Sequence, residues 1–446
     1  MNHAPLRKTI LILVDLVLYY AAIVSLWSID LYLRQMDSVF WHDYLWGFTT
    51  FLPLFFIIYY IFDLYSDDVT MNGISLFKGS FNASWASALM AFLWLHKFRF
   101  FFYVRSILSF VLFAIITFIL LSLWRRLYFS LFAKQRNQVQ ALFLELESGS
   151  QELSQEIKNR PFCGLELTRI FNLKKESLNN LNEIIQNEKI EYLIVDDKCF
   201  HDSKVIHQIF QALPLQIEVV RLSSFLENLC HFVFIRHIEE HWFLDNLLDS
   251  SKKLHDKLKN VCDRILALIM LTILSPLMLF IALLVGISSG FPIIYSQKRV
   301  GHLGKEFTLF KFRSMRNDAE KDGAKWATPG DHRVTKLGAF LRKTRLDELP
   351  QLFNILKGEM SFIGPRPERP EFVEKLSQSI PFYNERHLVK PGLTGWAQIS
   401  YRYGMSEDDS LKKLQYDLYY IKNRSFVLEL AIILKTIRVV IYQSGT

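Results

Sequence analysis

The sequence predicts a multi-domain membrane protein: a four-helix transmembrane bundle, an α/β domain built on a parallel sheet, and a basic α/β domain that returns to the membrane. Three observations carry this. Apolar runs of spanning length fill the first 130 residues, strand and helix patterns alternate from residue 138, and positive charge collects beyond residue 250. Of the 446 residues, 51% are hydrophobic and 38 are Phe, more apolar sequence than a soluble chain of this length can cover.

The runs 9–29, 45–63, 82–96 (with its neighbours) and 103–124 approach the ~20 apolar residues of a bilayer-crossing helix. The third is the most diluted, by Asn82, Ser84 and Ser87. Arg7 and Lys8 before the first run, and Arg125, Arg126, Lys134 and Arg136 after the fourth, place both ends of domain 1–130 in the cytoplasm by the positive-inside rule. Lys97, Arg99 and Arg105 oppose that orientation. No small-residue cleavage site follows the first run, so it reads as a retained helix rather than a signal peptide. Asp15 lies inside it, where a carboxylate is costly. A partner on a neighbouring helix, or an interfacial position, explains it better than a catalytic role.

From 138 to 240 the pattern is strand and helix in turn. Strands are expected at Ala141–Leu146, Leu165–Ile170, Ile190–Val195 and Gln216–Leu222, and helices at 150–159, 176–187 and 202–212. Such alternation predicts a parallel sheet with covering helices. A dinucleotide site needs a glycine-rich turn after the first strand. Here that turn reads Glu145-Leu-Glu147-Ser-Gly149-Ser, whose two carboxylates would repel a phosphate. No nucleotide is expected there, and a structural or oligomerisation role is preferred. Cys163, Cys199, Cys230 and Cys262 are widely spaced, which suggests neither a zinc site nor a disulfide framework.

The third domain, 251–446, holds 31 Lys and Arg against 19 Asp and Glu, a net of +12; with +8 overall, residues 1–250 carry −4. Basic charge beside a membrane suits anionic head groups or phosphate substrates. No nucleic-acid motif supports the rival partner. The apolar run 265–287 is long enough to cross, but Ser275-Pro276 stands at its midpoint. Proline removes a backbone donor there, so a kink or break is expected, with the serine hydroxyl free to satisfy the orphaned carbonyl. A full span is the generic outcome. The chemistry of the residues downstream favours a re-entrant hairpin instead.

Period-two reading of Phe307–Met315 puts Lys311 and Arg313 on one strand face. They make a phosphate clamp in one reading and a solvated face in the plainer one, which spacing alone favours. Asp347 and Glu348 precede Pro350, a first-turn residue of a helix, whose N-terminus stabilises negative charge. Ordinary capping by Thr344 and Asp347 explains one acid well and the adjacent pair less well. Arg342, Lys343 and Arg345 add nearby cations. In Gly364-Pro365-Arg366-Pro367 two prolines restrain Arg366, so it would lose little entropy on binding an oxyanion. The tail, Leu411–Tyr442, reads as amphipathic helices suited to the membrane interface, or as a core stripe.

With Gln297–Gly301, Lys311–Met315, Leu346–Gln351, Gly364–Pro367, Lys390–Gln398 and Tyr416–Tyr420 in order, the chain resembles the bacterial sugar transferase family, specifically its large monotopic members. The resemblance implies a degenerate Rossmann-like domain at 138–240. It also implies a catalytic domain at 251–446 with a re-entrant helix at 265–287 broken at Ser275 and Pro276. The implied reaction takes hexose-1-phosphate from a UDP-hexose, galactose or glucose by preference, to undecaprenyl phosphate and releases UMP. It opens O-antigen, capsule or exopolysaccharide synthesis at the cytoplasmic face of the bacterial inner membrane. Asp347 would be the nucleophile, Glu348 would bind Mg²⁺ with it or orient it, and Lys311, Arg313, Arg345 and Arg366 would contact phosphates. Asp417 would join the substrate-binding set in a supporting polar role. A homodimer stays open as a partner state. One departure is Ser288-Ser-Gly-Phe-Pro292, where the family usually has Gly-Pro. Two other readings stand beside this one: a catalytically silent scaffold of a polysaccharide assembly complex, and an inverting glycosyltransferase that would release UDP.

Overall fold

The structure, a computed structural model, describes residues 3–34, 40–65, 73–97, 107–134, 139–146, 150–159, 165–174, 181–247, 251–316, 331, 333–401 and 406–441. Arg99, Arg105, Arg136, Cys163, the turn 147–149 and residues 176–180 of an expected helix lie outside them. Two compact units divide the chain, Met1–Leu222 and Ser223–Thr446.

The first unit opens with four helices, α1 (His3–Arg34), α2 (Trp41–Ile61), α3 (Gly73–Lys97) and α4 (Ile107–Lys134). Thr9–Tyr32, Trp41–Ile61 and Ile107–Tyr128 are long and apolar enough to cross a membrane. The expected span at 82–96 is the exception, because α3 does not reach that apolarity. Its polar groups point inward: Ser84 and Ser87 are buried, and Ser84 shares a hydrogen bond of 2.7 Å with Tyr59. Of the two positions expected for Asp15, the structure shows the one with a neighbour-helix partner. Arg125 of α4 forks onto its two oxygens at 3.1 and 2.7 Å, and Tyr65 donates a third bond at 2.8 Å. A bidentate guanidinium is the strongest partner a buried carboxylate can find.

The same unit carries β1 (Val139–Glu145), α5 (Ser150–Asn159), β2 (Leu165–Asn172), α6 (Leu181–Asn187), β3 (Tyr192–Val195), α7 (Ser203–Ala212) and β4 (Glu218–Arg221). The strands form one parallel sheet in the order β2-β1-β3-β4, as the alternation predicted. The central pair is the most apolar, with Ala141–Leu144 and Leu193–Val195 fully buried. At their carboxyl ends, where this kind of sheet receives phosphates, stand the buried carboxylates of Glu145 and Asp196.

The second unit runs through α8 (Leu222–Cys230), α9 (Glu240–Leu247), α10 (Ser251–Ser289), β5 (Ile294–Val300), β6 (Glu306–Phe312), α11 (Lys336–Lys343), α12 (Gln351–Lys357), β7 (Ser361–Ile363), α13 (Pro370–Ser379), β8 (Gly392–Thr394), α14 (Trp396–Ser400), α15 (Glu407–Asn423) and α16 (Phe426–Ile441). The expected boundary at 240 is corrected here. Val233, Ile238 and Trp242 pack in one core with Leu414, Leu418 and Ile432. Val233 N–H also bonds Gln415 O at 3.0 Å, and Lys422 bonds Glu227 at 2.7 Å. Residues 223–247 therefore belong with the C-terminal unit, because that is where their apolar side chains are buried.

Of the kink or break expected at Ser275 and Pro276, the break does not occur: α10 runs as one helix of 39 residues with Pro276 inside it. Ser275 Oγ donates to Thr272 O at 2.9 Å, the carbonyl four residues before the proline, so the orphaned acceptor is satisfied without ending the helix. Along both halves one stripe faces the unit. Ala267, Leu271 and Leu274 meet Phe307, Leu309 and Leu352, while Met278, Ile281 and Val285 meet Phe312 and Leu341. These positions recur at intervals of four and three, the period of a helix packed on a partner. The opposite side leaves Ile265, Leu268, Ile273, Phe280, Leu283 and Ile287 exposed.

The tail divides its two expected roles. Helix α15 is a core helix, with Leu414, Leu418, Tyr420 and Ile421 buried. Helix α16 instead shows Phe426, Val427, Leu430, Ile433 and Ile437 to the outside.

Candidate active site

Strands β5 and β6 pair antiparallel from Ile294↔Phe312 to Val300↔Glu306. Asn354 of α12, fully buried, borders β6 as a side-chain substitute for another strand. Its Oδ1 accepts Phe310 N–H at 3.2 Å and its Nδ2 donates to Thr308 O at 2.7 Å. This brings the turn preceding α12 beside Lys311.

That turn begins where α11 stops. Thr344 Oγ1 donates back to Phe340 O at 2.8 Å and Leu341 O at 3.2 Å. Thr344 thus closes α11 and forms no capping pair with Asp347. Arg345 takes a left-handed conformation with φ 59°, which costs a non-glycine residue about 1–3 kcal/mol and is typical of functional turns. The chain then makes a short 3₁₀ turn, Leu346–Glu348, before Pro350 caps α12.

The turn buries both acids, each 6% exposed, in opposite surroundings. Glu348 Oε1 accepts from Lys311 Nζ at 2.9 Å and Arg366 Nη2 at 3.0 Å, with Arg345 Nη1 at 3.9 Å. Burial pushes the Glu348 carboxyl up, but Lys311, Arg366 and Arg345 outweigh it and hold the group well below the usual carboxylate range. Asp347 makes no hydrogen bond or ion pair with the described residues. Burial raises its pKa; Lys311 draws it back and Glu348 adds to the rise. One carboxylate is held in place by cations that favour its charged form. The other is buried and uncommitted, as an attacking oxygen must be.

Lys311, Arg345 and Arg366 are thus gathered around the acid pair. Arg342 stands close by, its Nε donating to Ser314 Oγ at 2.9 Å, and its charge also draws Asp347 down. Arg313 gives its main-chain N–H to Ile293 O at 2.9 Å and is not among the cations that ion-pair with Glu348. Asp417 stands where a supporting polar role would put it: it is buried against Arg386 at 2.8 Å, and Arg386 in turn bonds Arg366 O at 3.1 Å. Sequence reasoning missed Asn354 and Arg386. Neither stands in a pattern that announces chemistry, because each acts on a backbone far away in sequence.

Among the described residues no group of three or more His, Cys, Asp or Glu converges as a metal site. The donors for a divalent cation are Asp347 and the second Glu348 oxygen, which takes no hydrogen bond from the described residues. Mg²⁺ is commonly held by one or two carboxylates, with phosphate and water completing its octahedron. The pair therefore fits a metal that arrives with a diphosphate, and does not fit a resident all-protein cage.

Residues 254–443 match the model of the bacterial sugar transferase family. The chain is 44% identical over 229 residues to a UDP-N-acetylgalactosamine-undecaprenyl-phosphate N-acetylgalactosaminephosphotransferase of Aeromonas hydrophila, covering 51% of this chain and 53% of that one. It is also 41% identical over 192 residues to an uncharacterised sugar transferase of Bacillus subtilis, covering 42% of this chain and 89% of the relative. The chain belongs to the bacterial sugar transferase family. To the UDP-glucose:undecaprenyl-phosphate glucose-1-phosphate transferase of Xanthomonas campestris pv. campestris the identity is 47% over 181 residues, 40% of this sugar transferase and 37% of the relative. The match to the Aeromonas protein spans about half of that protein's length, and the acid pair and its cations lie inside the family segment.

Proposed function

We propose that this chain transfers a sugar-1-phosphate from a UDP-sugar to undecaprenyl phosphate, releasing UMP, at the cytoplasmic face of a bacterial inner membrane. The observation that carries the proposal is the contrast between the two buried acids: Glu348 ringed by Lys311, Arg366 and Arg345, and Asp347 without a bonding partner among the described residues.

An oxygen of Asp347 attacks the sugar-bearing phosphorus of the donor. The bridging P–O bond breaks, UMP leaves, and the sugar phosphate remains on the aspartate as an acyl phosphate. The phosphate oxygen of undecaprenyl phosphate then attacks the same phosphorus and frees Asp347, giving undecaprenyl-diphospho-sugar. Lys311, Arg345 and Arg366 neutralise charge on the phosphoryl oxygens, strongest where water is excluded. Glu348 holds those cations in register. Asp347 and Glu348 would hold Mg²⁺, which would supply further neutralisation.

Glucose and galactose are the expected sugars. The name of the Aeromonas relative adds N-acetylgalactosamine, so the assay is a panel of UDP-glucose, UDP-galactose and their N-acetyl counterparts, with and without undecaprenyl phosphate. UMP release dependent on the lipid phosphate is expected with at least one donor. Release of UDP would replace this reading with glycosyl transfer, and no release from any donor would favour a silent scaffold of a polysaccharide assembly complex.

The proposed topology follows from α10. The segments before and after it, around Trp242 and Leu418, share one hydrophobic core, so the helix would bend at Pro276 and enter and leave a single leaflet with its exposed face in lipid. Tags at residue 130 and at the C-terminus are expected to be cleaved by protease from the same side of sealed vesicles. Cleavage from opposite sides would show that 265–287 crosses.

A further inference from the structure

We infer that Arg299 and Arg386 are positioning residues that hold the Arg366 turn by its carbonyl oxygens. Neither Pro365 nor Pro367 carries an N–H, so donors in the turn are scarce and it is held by its acceptors instead. Four consecutive oxygens are engaged. Pro365 O accepts Gly392 N–H at 2.9 Å, Arg366 O accepts Arg386 Nη2 at 3.1 Å, Pro367 O accepts Arg299 Nη1 at 2.9 Å, and Glu368 O accepts Val300 N–H at 2.9 Å.

Each guanidinium is anchored from behind. Arg386 bonds Asp417 at 2.8 Å and the Tyr383 hydroxyl at 2.7 Å, and Arg299 stands 3.5 Å from Glu368. A planar fork can join a carboxylate to a carbonyl at fixed spacing, and a lysine ammonium cannot reproduce that. Space is equally restricted on the other side of the turn, since a Cβ on Gly364 would collide with Lys390 O. Held this way, the Arg366 side chain reaches Glu348 Oε1 at 3.0 Å. A loosened turn would let it swing away from the acid pair.

The catalytic consequence rests on the transferase reading above; the holding of the turn can be measured without turnover. In the full-length protein in lipid nanodiscs, hydrogen exchange is followed in peptides containing Val300 and Gly392, whose N–H groups bond Glu368 O and Pro365 O. Arg299→Met, Arg299→Lys and Arg386→Lys are each expected to speed exchange there by about tenfold or more, as local opening becomes easier. The lysine variants retain the charge, which guards against a simple failure to fold.

UMP release is then measured in a double-mutant cycle. Arg299→Met is expected to lower kcat/KM by about tenfold to a hundredfold, the scale of a misplaced contact group, and to add nothing in an Arg366→Ala background. Unchanged exchange in folded variants overturns the inference, and so do losses that multiply with Arg366→Ala. If the unaltered chain releases no UMP, the transferase reading fails while the exchange data still decide whether the two arginines hold the turn.

Discussion

Asp347→Asn is expected to reduce lipid-dependent UMP release by ~10⁴-fold or more, the scale seen when a covalent nucleophile is removed. Asparagine keeps the shape of the side chain but has no carboxylate to form the acyl phosphate. Because Asp347 has no bonding partner among the described residues, the substitution leaves no donor orphaned. Its effect on stability should be opposite in sign to its effect on activity. Burial raises the folded-state pKa of Asp347, so the folded protein binds its proton more readily than the unfolded chain does. Stability then falls as pH rises from the unfolded-state value through the folded one, and the whole penalty is present at neutral pH. The Asn variant should therefore melt at or above the parent temperature at pH 7, an advantage that disappears below about pH 4, near the unfolded aspartate value. For the parent enzyme, kcat/KM should fall with acidity at a pH above the ordinary aspartate range, as the nucleophile takes up its proton. Near-normal turnover of the variant would remove Asp347 from the mechanism.

Glu348→Gln is expected to damage both activity and stability, which separates its role from that of its neighbour. The substitution leaves Lys311, Arg366 and Arg345 facing one another without the carboxylate that gathers them. Removing one partner of a buried ion pair costs about 3–5 kcal/mol. The lower end, about 3 kcal/mol, applies here, because solvent screens the partly exposed arginines. The Glu348 pKa is lowered on folding, so its stabilisation is present above the unfolded glutamate value and is lost as pH falls through the folded value. The difference in melting temperature between parent and variant should thus narrow in acid, the signature of an ion pair and not of packing. The acid limb of the activity profile should also move to lower pH, since the Glu348 charge helps to raise the Asp347 pKa. A variant as stable as the parent at pH 7 would show that the cations are held by something else.

The elements legible in sequence are those whose signal is local. The strands around Phe143 and Ile194 are short apolar runs flanked by helical patterns, and they appear where expected. The acid pair is visible because Pro350 marks a helix start directly behind it. Asp15 could be assigned a partner in kind but not by name, since Arg125 lies 110 residues away. The run 82–96 is the least legible of the four because the direction in which Ser84 and Ser87 face cannot be read from composition. A break at Pro276 was one of two expected outcomes because proline rules describe an isolated helix. Here a hydroxyl one residue earlier and a stripe packed along both halves keep the helix whole.

Sequence by itself determined the chemistry available to this sugar transferase: two adjacent carboxylates, an arginine between prolines, a basic C-terminal half and apolar runs of membrane length. Those are properties of residue type and near spacing, which the chain carries before it folds. Tertiary structure decided how the chemistry is divided. Only the meeting of Lys311, Arg345 and Arg366 on one oxygen distinguishes Glu348 from Asp347, because the field at a buried group is set by whatever charges folding brings within a few ångströms, however distant they are along the chain.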